Sequence, residues 1–101
     1  MPLIHAVFFT LHDASPAKVN ELVKACHEYL TDHPGEVYFA AGPRNPAFVR
    51  PVNDQQFHVA LVVVFDSKES HDIYQQAPRH NQFIELQKAN RKEVRVFDAD
   101  C

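Results

Sequence analysis

Seven histidines are the residues of this chain best suited to chemistry: His5, His12, His27, His33, His58, His71 and His80. An imidazole exchanges protons near neutral pH, so one placed in a pocket can serve as acid or base. His5 lies in the middle of LIHAVFFTL, residues 3–11, among apolar neighbours. An imidazole buried there needs a partner for at least one nitrogen. It is either a core histidine bonded to a backbone carbonyl or an acid/base group at the floor of a pocket. His80 follows Pro78-Arg79 at a break in a helical pattern. Tyr74 closes the helix before that break, and a turn at Pro78 brings phenol and imidazole together. Such a pair suits proton transfer and enolate stabilisation.

The remaining histidines carry weaker signals. His12, His33 and His71 adjoin turns or helix starts and are expected at the surface. His27 sits at the margin of a helix's apolar stripe and can reach a pocket. His58 begins a strand on the face opposite to Phe57. No H-x-H, H-E-x-x-H or Cys/His pair at ligand spacing occurs, so no metal site is expected. Cys26 falls on a helix's apolar side and reads as core, and no nucleophile-elbow motif is present.

The bulk composition narrows the classes further. Two glycines, Gly35 and Gly42, cannot form a Gly-rich phosphate cradle, so P-loop and Rossmann sites are excluded. Net charge is −3 and the ten basic residues are scattered, which argues against nucleic acid and anionic membrane surfaces as partners. No apolar run approaches the ~18 residues of a membrane span. The N-terminus lacks a basic n-region, and two cysteines make no disulfide framework. A cytoplasmic protein with reduced thiols is expected. At 101 residues, one domain over 1–101 is expected.

The elements that must position the histidines follow from periodicity. Residues 3–11 read as a strand. Ser15 and Pro16 start a helix whose apolar face is Val19, Leu22, Val23, Cys26, Tyr29 and Leu30, ending before Pro34-Gly35. Residues 36–41 form a second strand, and 43–56, with three prolines and two arginines, a long loop. Residues 57–65, FHVALVVVF, are the most strand-like stretch. Asp66 or Ser67 caps a helix in which Ser70, Ile73, Tyr74 and Ala77 share a face, and Pro78 breaks it. A helical piece over about 80–90 and a last strand over 93–98 complete the chain. The order β-α-β-β-α-β, with the second helix broken, is the split βαβ or ferredoxin-like pattern. It gives an α+β fold, a four-stranded antiparallel sheet with helices on one face.

That sheet is apolar on both sides. In 57–65, Phe57, Val59, Leu61, Val63 and Phe65 point one way, and His58, Ala60, Val62 and Val64 the other. Helices on one side leave the second apolar face without a cover. The simplest cover is a second copy of the same sheet in a homodimer.

Several of these residues together resemble the stress-responsive A/B barrel (Dabb) family, within the dimeric α/β barrels. They are His5 within Leu3-Ile4-His5-Ala6-Val7, the strand 57–65, Tyr74 with Ala77-Pro78-Arg79-His80, Phe83, and Val96-Phe97-Asp98. The resemblance implies a ferredoxin-like fold that dimerises sheet to sheet into a shared barrel. One plant branch of the family is a polyketide cyclase that works by aldol condensation without a cofactor. By that likeness His5, His80 and Tyr74 are the catalytic candidates. His27 stands at the cyclase's helix-1 tyrosine and Val59 at its strand-3 histidine, and with Phe83 they are the candidate binding residues. Ala77 replaces a histidine frequent in the family, and Ala99 replaces its final tyrosine. A small apolar or aromatic ligand and no cofactor are implied. Two other readings stay open: a non-catalytic stress-related or assembly protein, and a cofactor-free monooxygenase of the related barrel type.

Overall fold

The computed structural model describes residues 1–101. In chain order the elements are β1 (Leu3–Leu11), α1 (Pro16–Tyr29), β2 (Glu36–Pro43), β3 (Val59–Phe65), α2 (Lys68–Gln76), α3 (Pro78–Gln87) and β4 (Arg91–Asp100). The strands form one sheet in the order β2-β3-β1-β4, and every neighbouring pair is antiparallel. This is the expected ferredoxin-like arrangement, with the broken helix resolved into α2 and α3.

Local chemistry explains the boundaries. The Ser15 side chain accepts from the Lys18 amide at the start of α1, and Pro16 occupies its first turn. Leu22, Ala25 and Cys26 turn inward from that helix. Gly35 has φ +87°, and a Cβ there would come within 2.2 Å of Ser70 Oγ. Glycine is therefore required twice over, by its backbone and by the approach of α2. Ser67 caps α2 by accepting from the Ser70 amide. Ala77 is extended, as a residue before proline prefers, so α2 stops and Pro78 opens α3 at a new angle.

β1 and β3 pair with Leu3 opposite Phe65, His5 opposite Val63, Val7 opposite Leu61 and Phe9 opposite Val59. These residues, each less than a tenth exposed, form the covered face and the centre of the core with Leu22, Leu30, Tyr74 and Phe83. The open face carries Ile4, Ala6 and Phe8 on β1 and Ala60, Val62 and Val64 on β3, all half-buried. Phe97 on β4 pairs with Ala6 and is 55% exposed.

Three expectations need correction. The face of α2 turned to the core is Ser70, His71 and Tyr74, while Ile73 is 57% exposed. The helix ends at Gln76, which leaves Ala77 outside it, and Tyr74, the largest fully buried side chain, is the residue it buries. β3 begins at Val59 rather than residue 57. His58 instead folds back: its amide donates to the Phe9 carbonyl and its Nδ1 accepts from the Leu11 amide at 3.0 Å. The loop before β3 is tied to the sheet's open side by Arg95–Asp54 at 2.6 Å and by the Thr10 hydroxyl donating to the Gln56 carbonyl.

Candidate active site

The covered face of β1 and β4, with α2 and α3 above it, borders a partly open cavity of about 330 Å³. His5, His71, Tyr74, His80 and Asp98 line it together with a larger apolar set that includes Val7, Phe9 and Phe83. A small, mostly apolar cavity with a few convergent polar groups is the usual form of a small-molecule site.

His5 is 4% exposed and its Nδ1 lies 2.5 Å from Asp98 Oδ1. The contact follows from the sheet, because His5 and Asp98 are partners across the β1/β4 ladder and share its covered face. A carboxylate at Nδ1 fixes the N–H there and leaves Nε2 with its lone pair. Burial lowers the His5 pKa, against the raising effect of Asp98, so the ring is neutral and able to accept a proton near pH 7.

The helices supply the other rings. His71 lies 4.7 Å from His5 between ring centroids, and its Nδ1 is 3.2 Å from Asp72 Oδ1. Tyr74, one helical turn on, is 1% exposed and meets His80 edge-on at 4.8 Å. Burial, reinforced by the Glu36 carboxylate, keeps its phenol protonated throughout the neutral range. His80 Nδ1 is buried with no hydrogen-bond partner in the chain. Burial, then repulsion from His5, His33 and His71, pushes the His80 pKa down to about 4. A neutral imidazole with a free nitrogen beside a protonated phenol can donate to a developing oxyanion.

His5, His71 and Asp98 also present ligand-capable atoms within 4.8 Å of one another. No sequence motif announces the group, since its members come from β1, α2 and β4. Two ligands of one ion, each ~2.1 Å from it, stand ~3 Å or more apart. Here His5 Nδ1 and Asp98 Oδ1 are instead joined directly by a hydrogen bond at 2.5 Å.

The sequence-derived candidates divide cleanly. His5, Tyr74 and His80 meet in one cavity, and Phe83 lines it. Tyr74, on α2, is almost fully buried in the wall of that cavity. His27 is exposed and packs against Phe39, away from the cavity. Val59 is wholly buried core and does not line the cavity. Two histidines expected at the surface lie inside. His33 is 7% exposed, with Nε2 2.7 Å from the Tyr29 carbonyl oxygen and its ring against Tyr74. His71 faces His5, as described. Asp98 and His71 were not among the candidates. The signals that could have found them are the pairing of the first and last strands and the three-residue step from His71 to Tyr74.

The stress responsive A/B barrel domain matches residues 3–101 of this sequence. The chain belongs to that family. Among solved structures, a dimeric ferredoxin-like protein of unknown function from Thermobifida fusca is 17% identical, with TM-score 0.83, covering 100% of this chain and 92% of that one. A Dabb family protein from Mesorhizobium loti is 19% identical with TM-score 0.79, over 99% and 96% of the two chains. The hydroxynitrile lyase of Passiflora edulis is 17% identical with TM-score 0.75, over 97% and 91%. At such identities the likeness establishes the A/B barrel protomer fold. No curated protein matches the sequence. No helix is long and apolar enough to cross a membrane.

Proposed function

We propose that this A/B barrel protein is a homodimer whose cavity carries out proton transfer next to a carbonyl, as in an aldol-type cyclisation or isomerisation. The observation that carries the reading is the His5–Asp98 contact at the polar end of an apolar cavity. His5 Nε2 accepts a proton from the carbon beside the carbonyl. The electron pair of that C–H bond forms the enolate, and the charge reaches the carbonyl oxygen. His80 and Tyr74 hold that oxygen by hydrogen bonds, and the imidazolium of His5 is balanced by Asp98. The enolate carbon then attacks a second carbonyl in the same molecule, whose π pair becomes an alkoxide that takes the proton from the His5 imidazolium. Alternatively, that imidazolium returns its proton to a different carbon of the enolate. No step requires a cofactor. The same base suits removal of a hydroxyl proton, the opening step for a hydroxynitrile, the substrate class in the name of the Passiflora edulis relative.

Self-association is supported by the apolar open face and by the Thermobifida fusca neighbour, a dimeric protein of the same fold. A mass near twice 11.6 kDa by light scattering is the expected result. For the chemistry, 2-octanone in D₂O is the probe. Wild-type protein should exchange its α-protons faster than buffer, and His5→Gln should not. Exchange at the same rate with His5→Gln overturns the assignment of the base.

A further inference from the structure

The polar end of the cavity has a counterpart at the opposite end. On β1 and β4 the covered rungs run from His5–Asp98 through Val7–Val96 and Phe9–Val94 to Leu11–Arg91. Strict alternation would put Lys92, not Arg91, on that face, because Val94, Val96 and Asp98 occupy alternate positions. A register shift between Thr10 and Leu11 changes this. It pairs Leu11 with Arg91, skips Lys92 and turns the arginine onto the cavity side, where it contributes to the lining. Bulges beside sites commonly re-aim a side chain in this way.

Arg91 is half-buried and takes part in none of the chain's ion pairs, whereas Arg95 on the open side is joined to Asp54. An unpaired guanidinium facing apolar walls is a binding group for an anion, and its planar fork matches a carboxylate. The Asp98 carboxylate at the other end repels an anion from there, so the two ends set one orientation. We propose that Arg91 is the anion-holding end of the site, and that the ligand is an apolar molecule with a carboxylate at one end and its reacting carbonyl at the other. This rests on the acid/base reading for the carbonyl end only. Six residues of strand separate His5 from Leu11, or ~20 Å between Cα atoms, part of which the Arg91 side chain spans. The volume of about 330 Å³ equals that of ~11 waters in the liquid, so a ligand of ~12 non-hydrogen atoms fits.

The test uses octanoate and 1-octanol as probes, titrated into wild-type and Arg91→Gln protein while backbone amide shifts of Val94 and Val96 are followed by NMR. Octanoate should bind the variant ~10-fold more weakly, through loss of one charge-assisted pair. 1-Octanol should bind both proteins equally, which also reports that the variant is folded. Arg91→Met, which keeps much of the aliphatic stem, repeats the comparison if the amide variant folds poorly. Equal octanoate affinity in wild type and variant overturns the role of Arg91 and leaves the acid/base reading standing. No shift with either probe in wild-type protein overturns the site for both.

Discussion

On the helix-covered face of the sheet, His5 and Asp98 stand opposite each other among rows of valine, leucine and phenylalanine. On the other face, the neighbouring rungs hold Ile4, Ala6, Val62, Val64 and Phe97. The strands are the same, yet the two faces solve different problems. A polar group on the covered face must be given partners, and α2 and α3 bring them as His71, Tyr74 and His80. The centre of the open face has no charge to pair, so an identical face can meet it across a two-fold axis. In the proposed function, chemistry is assigned to the side where the covering elements differ from the sheet, and association to the side where the cover can be a copy.

The strongest way to break this contrast is a charge on the open face. Val62→Asp should dissociate the dimer at micromolar concentration, since the two-fold buries the new carboxylate twice. Light scattering checks it, and an intact dimer would mean that another surface carries the association. Next comes the same truncation on adjacent residues. Val63→Ala, in the covered core, should lower unfolding free energy by ~2 kcal/mol at every protein concentration. Val62→Ala should cost less, and its cost should shrink as the protein is diluted, because the open face is then bare in both proteins. Denaturant titrations at two concentrations separate the two, and equal behaviour would erase the difference between the faces.

Asp98→Asn tests the covered face by its chemistry. The amide can no longer balance an imidazolium at His5, so exchange of 2-octanone should fall ~100-fold while the dimer persists. A change in mass with no change in exchange would assign Asp98 to structure.

The smallest effect concerns pH. His80, ordinarily near 6.5, is pushed down to about 4, so between those values the unfolded chain binds a proton that the folded one does not. Stability from this group falls as pH drops through that window. His5, also lowered, acts with the same sign. Glu36 is raised from 4.5 to about 7, chiefly by burial, so its contribution falls as pH rises across that interval. The slopes oppose one another between pH 4.5 and 6.5. Glu36→Gln should therefore make Tm rise with pH there more steeply than in wild type. Parallel profiles for the two proteins would show that Glu36 does not titrate in this range.

Much of the fold was legible because its signals are local. Proline and serine at the start of α1, the extended residue before Pro78, and alternation in β1 and β3 each act within a few residues. His5 could be singled out because its neighbours on both sides are apolar. Errors arose where a side chain's fate depends on what is folded against it. His33 follows a helix end and looks solvated, but the Tyr29 carbonyl and the Tyr74 ring draw it inward. His27 lies near an apolar stripe, yet α1 turns Leu22, Ala25 and Cys26 inward and leaves it outside.

The sequence by itself determined the order of the elements, the apolar character of both sheet faces, and the presence of an imidazole in the first strand. Those follow from period, turn chemistry and composition, all readable over a few consecutive residues. Tertiary structure decided which groups that imidazole meets. Asp98 lies 93 residues away and reaches His5 only because β1 and β4 are neighbours in one register. Arg91 faces the cavity only because that register slips near its end. Strand register is settled by packing across the whole sheet, and no short stretch of the chain contains it.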